Sequence, residues 1–379
     1  MANGNIFGDL DLEKLNPYST YLSDGNLSTV TEWIDTGCYA LNAIISGSCY
    51  KGVPKGRVIG FSGPSQSGKS YIINKIIASF LKADDKAHAV IFDSESAVDA
   101  AALEKCGIDS ERVLIFPIEI IEDCKHQAVT LLKKLQKKSH GKLIIAIDSL
   151  GNLMSAKEAK DAEEGKTATD MGNKAKALRS LMRTITMQCA VTETTLLFTN
   201  HTYGDPTAMF ESLVKKQTGG EGPIYISSVL VQLAIEGKEK FDPKKAEKDG
   251  DEVDVVPLAR KVTGGQVKGV TLRALTVKNR FSPPFLECKL VVNFKRGLNK
   301  YSGILEMAKA YNILQGTSSF VLPTGEKIGM YKKWKNDLDT WNKIITLVDE
   351  QVQKDIAYSD DNEQDQTEEQ AEVTALDEV

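Results

Sequence analysis

Short apolar runs alternate with longer stretches of helical periodicity through the middle of the chain. The apolar runs are Val58–Phe61, Ala89–Phe92, Val113–Pro117, Leu143–Ile147 and Thr195–Thr199. The stretches with helical periodicity lie near 71–83, 98–106, 122–138 and 170–190. Strands that are apolar along their whole length and alternate with helices are typical of a parallel sheet covered on both faces. The pattern therefore predicts an α/β fold with a mostly parallel central sheet.

The pattern changes after residue 228. Val229–Glu236, Val270–Arg280 and Phe285–Phe294 are β-rich and have no helical stretch between them, which predicts an antiparallel extension of the sheet. Between the first two runs, Gly237–Gly250 is rich in lysine and acids, so we expect an exposed loop or hairpin tip there.

A small C-terminal α+β region follows the sheet. Ile304–Leu314 has helical periodicity, and Pro323-Thr324-Gly325 is a turn signal that predicts a hairpin. A second helix is predicted near 339–356.

Composition is that of an ordinary globular chain, with 379 residues, 41% hydrophobic and 26% charged. The six cysteines are scattered without a C-x-x-C pair, which indicates buried thiols in a reducing compartment. The four histidines have no zinc-site spacing. No apolar run approaches the ~20 residues of a membrane span, and the polar N-terminus lacks a signal-peptide pattern.

The net charge of −5 hides an asymmetry. Residues 359–379 hold nine acids and no lysine or arginine, so residues 1–358 carry +4. A mildly basic body with an acidic tail suits a nucleic-acid binder whose tail competes with its ligand. A disordered tail that only improves solubility is the other interpretation.

A complete G-x-x-x-x-G-K-[ST] motif carries the clearest chemistry. It reads Gly63-Pro64-Ser65-Gln66-Ser67-Gly68-Lys69-Ser70 and lies between an apolar run and a helical stretch. Backbone N–H groups in such a loop bind phosphate, and the following helix N-terminus adds positive potential. Lys69 is then expected to reach the β- and γ-phosphates and the Ser70 hydroxyl to bind Mg²⁺. The motif predicts a bound triphosphate and Mg²⁺.

Polar residues end three of the buried runs. Asp148 closes Leu143–Ile147 as a Walker B carboxylate would, at the sheet edge where it can hold the Mg²⁺ shell. Glu95 follows Ala89–Phe92 and is either the base for a water attacking the γ-phosphate or an acid at the start of a helix. His201 follows Thr195–Thr199 and is either a γ-phosphate sensor or a loop residue.

Two basic segments suggest an anionic polymer as ligand. Residues 204–224 are glycine-rich and include Lys215, Lys216, Gly219 and Gly220, which fits a functional loop around nucleic acid. Lys278 and Arg280 are two residues apart at a predicted strand end, so both can face one phosphate, although a solvated edge would give the same pattern.

Taken in order, these segments resemble the RecA-type recombinases, most closely the UvsX recombinases of T-even-like phages. The resemblance covers roughly residues 34–316 and more weakly the region to 357. Beyond the P-loop, the matching segments are Thr36-Gly37 through Gly52–Arg57, Phe92-Asp93-Ser94-Glu95, Ile147–Leu153, Asn200-His201-Thr202-Tyr203, Thr218-Gly219-Gly220 and Lys278-Asn279-Arg280.

The resemblance implies roles for these residues. Glu95 matches the glutamate that polarises the attacking water, and His201 matches the residue that senses the γ-phosphate and opens the second DNA-binding loop, 204–224. A first DNA-binding loop is implied at 155–169. Lys278 and Arg280 match the pair that reaches ATP on the neighbouring subunit.

The residues expected to contact the nucleotide base differ from the family pattern. Asp99 falls where the family contacts the nucleotide base. Ala102 stands where RecA has an aromatic ring that stacks on adenine, so base selectivity is open.

The resemblance also implies a domain order. It gives a segment 1–33 that contacts another protomer, a RecA-like ATPase core over 34–300, a small domain over 301–358 and an acidic disordered tail over 359–379.

The expected function is that of an ATP-dependent recombinase, which forms helical filaments on single-stranded DNA and pairs it with double-stranded DNA in recombination, repair and replication. Its partners would include a single-strand-binding protein and a loading mediator, without a membrane. Its location would be the cytoplasm, that of the host if the chain is phage-encoded. A RecA-fold ring helicase and a P-loop small-molecule kinase are the alternatives.

Overall fold

The computed structural model describes residues 11–136, 141–166, 171–203, 214–241, 259–262 and 265–356. The chain divides into two compact units, Met1–Leu305 and Glu306–Val379. Within the described residues, no helix is long and apolar enough to cross a membrane.

A large sheet organises the first unit. Its principal strands run in the spatial order β13-β12-β11-β9-β3-β7-β6-β4-β5, with β10 paired to β11 and β8 to β7. The strands of this unit are β1 Trp33–Ile34, β2 Val53–Pro54, β3 Val58–Gly63, β4 His88–Asp93, β5 Val113–Pro117, β6 Leu143–Asp148, β7 Thr195–Tyr203, β8 Lys216–Gln217, β9 Val229–Phe241, β10 Lys261–Val262, β11 Gly265–Asn279, β12 Glu287–Asn293 and β13 Gly297–Leu298. The six strands from β9 to β5 are mutually parallel, which confirms the predicted class.

Helices cover both faces of the parallel strands. The helices of this unit are α1 Leu12–Leu15, α2 Tyr39–Ser46, α3 Lys69–Ala83, α4 Ala100–Lys105, α5 Ile121–Gln136, α6 Ala156–Glu163, α7 Met171–Thr192 and α8 Gly222–Ile226. Alternate residues of the strands, among them Phe92, Ile145 and Phe198, share one buried cluster with α5 and α7. The intervening residues face the other side. Helix α3 packs against β3, β4, β6 and β7 through side chains such as Ile72 and Ile76, which are fully buried at the spacing of one helix face.

The antiparallel extension is confirmed, with β11 pairing to both β9 and β12. The loop predicted at Gly237–Gly250 is wrong in its first part, because β9 continues to Phe241. Residues 237–241 alternate between half-buried and exposed and include Lys238, Glu239 and Lys240, so their composition suggested a loop. Pairing with β11, including Phe241 opposite Gln266, keeps them in the sheet. Residues 242–250 lie outside the described part of the chain.

The second unit contains the predicted hairpin and helix. Strands β14 Ser319–Val321 and β15 Lys327–Met330 pair antiparallel, and helices α9 Ile304–Ala310, α10 Tyr331–Trp334 and α11 Leu338–Ile356 complete the described elements. Helix α9 begins just before the division between the units and is shorter than predicted. Asn312 has φ +54° and the Ile313 N–H donates to the Ala308 carbonyl, and both features terminate a helix.

Candidate nucleotide site and neighbouring loops

The loop Gly63–Gly68 joins the carboxyl end of β3 to the start of α3. Gly68 precedes the helix with φ +80°, and Gln66 also has a positive φ, +63°. Since α3 begins at Lys69, the N–H groups of its first turn have no partner within the helix and can bind an anion. The sequence-predicted residues Pro64, Ser65 and Ser67 lie in the same loop. The strand–loop–helix arrangement that this motif requires is therefore present.

The Lys69 ammonium lies within this loop. It donates hydrogen bonds to the carbonyls of Gly63 and Pro64, at 3.1 and 2.8 Å. Burial lowers the pKa of Lys69, and the nearby carboxylates of Asp148 and Glu95 act in the opposite direction. The loop carbonyls therefore hold the cation, and its charge interacts with two of the acids that the sequence analysis selected.

Register explains why these groups meet. Gly63 pairs with His201 across β3 and β7, and Asp93 pairs with Asp148 across β4 and β6. Because the strands are parallel, their carboxyl ends share one edge of the sheet.

Asp148 and Ser70 are the residues of this edge that the sequence predicts as Mg²⁺ ligands. Asp148 Oδ1 accepts a hydrogen bond from the Thr199 hydroxyl on β7, which fixes the carboxylate. Ser70 is exposed at the start of α3. No group of three or more His, Cys, Asp or Glu side chains that could hold a metal occurs among the described residues. One carboxylate and one hydroxyl nevertheless fit Mg²⁺, which is held largely by water and substrate phosphates.

Glu95 is placed by the turn that follows β4. The buried Asp93 carboxylate accepts hydrogen bonds from the N–H groups of Glu95 and Val98, at 3.0 and 3.1 Å. Glu95 Oε1 then accepts from Ser149 Oγ at 3.0 Å and lies 3.4 Å from His201 Nε2. Glu95 and His201, for which the sequence left both a catalytic and a purely structural role open, are therefore in contact.

His201 also connects this edge to the second predicted DNA-binding loop. Its carbonyl accepts from the Thr218 N–H at 3.0 Å, and Thr202–Tyr203 pair with β8. The buried Asn200 donates to the Thr218 carbonyl at 3.0 Å. The end of β7 and residues 216–218 thus form one hydrogen-bonded unit beside Glu95.

The second loop is only partly described, since 204–213 lie outside the described residues. Its remainder is not irregular, because Lys216 begins β8 and Gly222 begins α8. The Lys215 N–H donates to the Gln232 side chain at 2.8 Å. Gly219 has φ +83° and a Cβ there would lie 2.2 Å from Leu178 of α7, so this turn requires glycine. Gly220 follows it with φ +77°.

The first predicted loop, 155–169, is wrong as a loop over much of its length. Ala156–Glu163 form α6, which Ser155 and Glu158 start with a reciprocal capping box. The sequence S-x-x-E is itself a signal for such a helix start. Residues 167–169 lie outside the described residues.

Lys278 and Arg280 do not lie with the phosphate loop of their own chain. Strand β11 passes that loop at Leu272, whose Cδ1 would lie 3.0 Å from a Cβ at Gly68. Lys278 is six residues farther along the strand, where it pairs with Leu230, which in turn pairs with Gly60 in the interior of β3. Strand β11 ends at Asn279, so Arg280 lies just beyond it, and strand alternation no longer determines whether the two cations share a face.

The Lys278 ammonium instead binds the end of α8. It donates to the carbonyls of Ile224, at 2.9 Å, and Tyr225. Burial, with a smaller contribution from Arg280, lowers the pKa of Lys278 to about 8. Arg280 is exposed and also helps burial to lower the pKa of Arg57, at the amino end of β3. A cationic group therefore lies away from the phosphate loop.

Asp99 has a local structural role. It precedes α4, and its carboxylate accepts from the Ala102 N–H at 3.1 Å as an N-cap. Its contact with a nucleotide base stays a prediction.

The sequence analysis missed four side chains that organise this edge. They are Asp93, Ser149, Asn152 and Thr199. Three of them lie in segments that were matched to the family without a role, and their contacts arise from pairing between distant strands.

The parallel sheet, its phosphate loop and the acids on the same edge define a P-loop nucleotide-binding protein with a RecA-like fold. Comparison with known proteins identifies the family. Residues 20–299 match the RecA N-terminal domain family. A "Recombination and repair protein" of Enterobacteria phage T4 is 30% identical over 78% of this chain and 70% of its own length.

Bacterial relatives match to a similar extent. "Protein RecA" of Syntrophus aciditrophicus is 26% identical over 85% of this chain and 84% of its own. "Protein RecA" of Colwellia psychrerythraea is 27% identical over 81% and 79%. The chain belongs to the RecA family, which confirms the resemblance inferred from its motifs.

Proposed function

We propose that this protein binds ATP between adjacent subunits of a filament on single-stranded DNA and uses that filament to pair and exchange homologous strands. As a RecA-family member the chain is an ATP-dependent recombinase of DNA recombination and repair, and a DNA-dependent ATPase of the P-loop type.

One observation carries the intersubunit part of the proposal. Lys69, Asp148, Glu95 and His201 gather at one edge, whereas Lys278 lies six residues beyond the point where β11 passes the phosphate loop. The Lys278 ammonium binds the end of α8 rather than the phosphate loop of its own chain, which supports assigning the cation to the nucleotide of a neighbouring copy. Triphosphate held from both sides then joins neighbouring protomers.

The residues at the edge have distinct tasks in this proposal. Lys69 exchanges its two backbone carbonyls for phosphate oxygens, and Ser70 with Asp148 holds Mg²⁺, which neutralises phosphate charge when bound. Glu95 accepts a hydrogen bond from the water that attacks the γ-phosphate. Asp99 contacts the base.

The DNA-binding task falls to the two segments that adjoin the site. Residues 155–169 and 204–224, with Lys215, Lys216, Gly219 and Gly220, bind the DNA backbone. Backbone contacts leave the bases free for pairing, and they predict strongly salt-dependent affinity. His201 links phosphate and DNA because its carbonyl is bonded to Thr218.

The proposal also covers the second DNA substrate, the chain termini, the partner proteins and the cellular location. Double-stranded DNA is the second substrate, the acidic tail 359–379 limits access to it, and residues 1–33 contact the neighbouring protomer. A single-strand-binding protein and a loading mediator assist assembly, and the reaction takes place in the cytoplasm.

Strand exchange tests the proposal. The protein with ATP and Mg²⁺ should transfer a labelled strand from a duplex to a homologous single strand, with little transfer to a non-homologous one. ATP hydrolysis should rise when single-stranded DNA is added, and electron microscopy should reveal filaments. Closed rings that unwind duplex would support the helicase alternative, and hydrolysis indifferent to DNA would support the kinase.

A further inference from the structure

The catalytic carboxylate proposed above is held by a third donor. Glu95 Oε1 accepts a hydrogen bond from Asn152 Nδ2 at 2.9 Å, the shortest of its three contacts. The other two are Ser149 Oγ and His201 Nε2. Ser149 and Asn152 belong to the turn that follows β6, and His201 ends β7. Three donors on a single oxygen fix the orientation of the carboxylate.

The turn that carries Asn152 is itself firmly placed. Leu150 and Leu153, on either side, are fully buried, while Asn152 is exposed. A Cβ on Gly151 would lie 3.1 Å from Asn200 Oδ1 and 3.3 Å from His201 Cδ2, so the turn fits closely against the end of β7. The amide of Asn152 therefore reaches Glu95 from an anchored backbone.

A lysine joins the same turn to α7. Lys174 Nζ donates to the Gly151 carbonyl at 2.8 Å, and burial lowers the pKa of this lysine. Helix α7 begins at Met171, just after the segment 155–169 that we propose binds DNA. The turn thus contacts the catalytic carboxylate on one side and a helix adjoining a DNA-binding segment on the other.

We infer that Asn152 is a positioning residue for Glu95 and sets the rate of DNA-stimulated ATP hydrolysis. The inference rests on the proposed catalytic role of Glu95. By occupying Oε1, the Asn152 amide leaves the other carboxylate oxygen to accept a hydrogen bond from the attacking water. Asn152 touches neither nucleotide nor water in this scheme.

Substitution of Asn152 tests the inference. Asn152→Ala should lower the DNA-stimulated kcat about tenfold while the KM for ATP changes less than twofold, since the lost contact orients a base without binding substrate. Asn152→Asp should cost more, because it replaces the donor by a like charge. Asn152→Gln, which retains the amide, should recover part of the rate.

Controls separate positioning from folding. Asn342→Ala, at an exposed position of α11, should leave the kinetics unchanged. The Asn152 variants should keep the wild-type melting temperature and form filaments with a slowly hydrolysed ATP analogue, because the side chain is exposed. In a Glu95→Gln background, adding Asn152→Ala should have no further effect on kcat.

The outcomes are distinct. Wild-type kcat in Asn152→Ala, or a loss confined to KM or to filament formation, would overturn the positioning role and leave the recombinase proposal intact. Wild-type turnover in Glu95→Gln would overturn the catalytic role of Glu95, and this inference with it.

Discussion

At the scale of single residues, cationic side chains of the candidate site are bonded to groups of their own chain, and nucleotide binding exchanges those partners for phosphate oxygens. Lys69 illustrates this. Its ammonium is bonded to two carbonyls of its own loop and lies near two carboxylates. Binding of triphosphate replaces these neutral acceptors by anionic ones, so the hydrogen bonds of Lys69 become stronger.

Lys69→Ala should therefore weaken ATP binding about 100-fold, as expected for the loss of two charge-assisted hydrogen bonds. Isothermal titration with ATP and Mg²⁺ measures the affinity. Lys82→Ala, in the exposed last turn of the same helix, is the matched control and should bind as the wild type does. Tight binding by Lys69→Ala would contradict the assignment of the phosphate loop.

Much of this site could be predicted because its polar residues directly follow apolar runs that are recognisable as strands in the sequence. Asp148 and His201 follow apolar runs, and parallel pairing brings such ends together without further information. Asn152 could not be found in this way. Its contact with Glu95 joins positions 57 residues apart, and it depends on how a short turn packs between Leu150 and Leu153.

At the scale of elements, α8 is connected to two functions. It follows the turn Thr218–Gly220, and its last carbonyls accept the Lys278 ammonium. A cation at a helix C-terminus is favourable, so Lys278 gains a partner within its own chain. If the lysine moves to phosphate on a neighbour, α8 loses that partner, and assembly is coupled to the DNA-binding segment.

This connection predicts a pH dependence of assembly. In the free subunit the pKa of Lys278 is lowered to about 8, chiefly by burial. Beside a neighbour's triphosphate its pKa must be higher, so assembly takes up a proton above pH 8. The assembly constant should then be steady below pH 8 and fall by up to about tenfold per pH unit above it.

Light scattering on single-stranded DNA between pH 7 and 9.5 measures this constant. Lys278→Arg should flatten the profile, because guanidinium stays charged throughout the range. The same pKa shift changes folding in the opposite direction. The folded-state pKa lies below the usual 10.5, so this group makes the free energy of unfolding rise from pH 8 to 10.5.

If the assembly constant of Lys278→Arg fell with pH as steeply as that of the wild type, Lys278 would be excluded as the source of the fall.

Strand lengths were the less predictable part of the elements. The parallel strands were identifiable because burial on both faces demands apolar residues throughout. The outer half of β9 is half-exposed, and its Glu236–Phe241 pattern resembles a charged loop. Only the pairing partner, β11, distinguishes the two, and that partner lies more than 20 residues away in sequence.

At the scale of the whole molecule, charge is unevenly divided along the chain. Nine acids lie in 359–379, whereas the preceding residues carry +4. Removing 359–379 should strengthen binding to double-stranded DNA severalfold at low salt, since competing negative charge is lost. Fluorescence anisotropy over a salt series measures the effect, which should shrink as salt rises. Equal affinities at low salt would leave the tail with a solubility role only.

The proposed intersubunit site requires groups from two copies of the chain around each nucleotide. Lys69→Ala removes the phosphate loop cation from one side of an interface, and Lys278→Ala with Arg280→Ala removes the cations from the other. Each variant alone should lack DNA-stimulated hydrolysis, because every interface between identical copies is incomplete. In an equimolar mixture that assembles at random, about a quarter of the head-to-tail interfaces unite an intact loop with intact cations.

The mixture should therefore regain about a quarter of the wild-type turnover per site, provided that both variants enter one filament. Labelling the two variants with a donor and an acceptor dye establishes that they coassemble. A mixture that coassembles and stays inactive would place both groups in one subunit's site, contrary to the position of Lys278 at the end of α8 in its own chain. Recovery requires two copies of the chain around each nucleotide, which makes ATP binding and filament growth a single equilibrium.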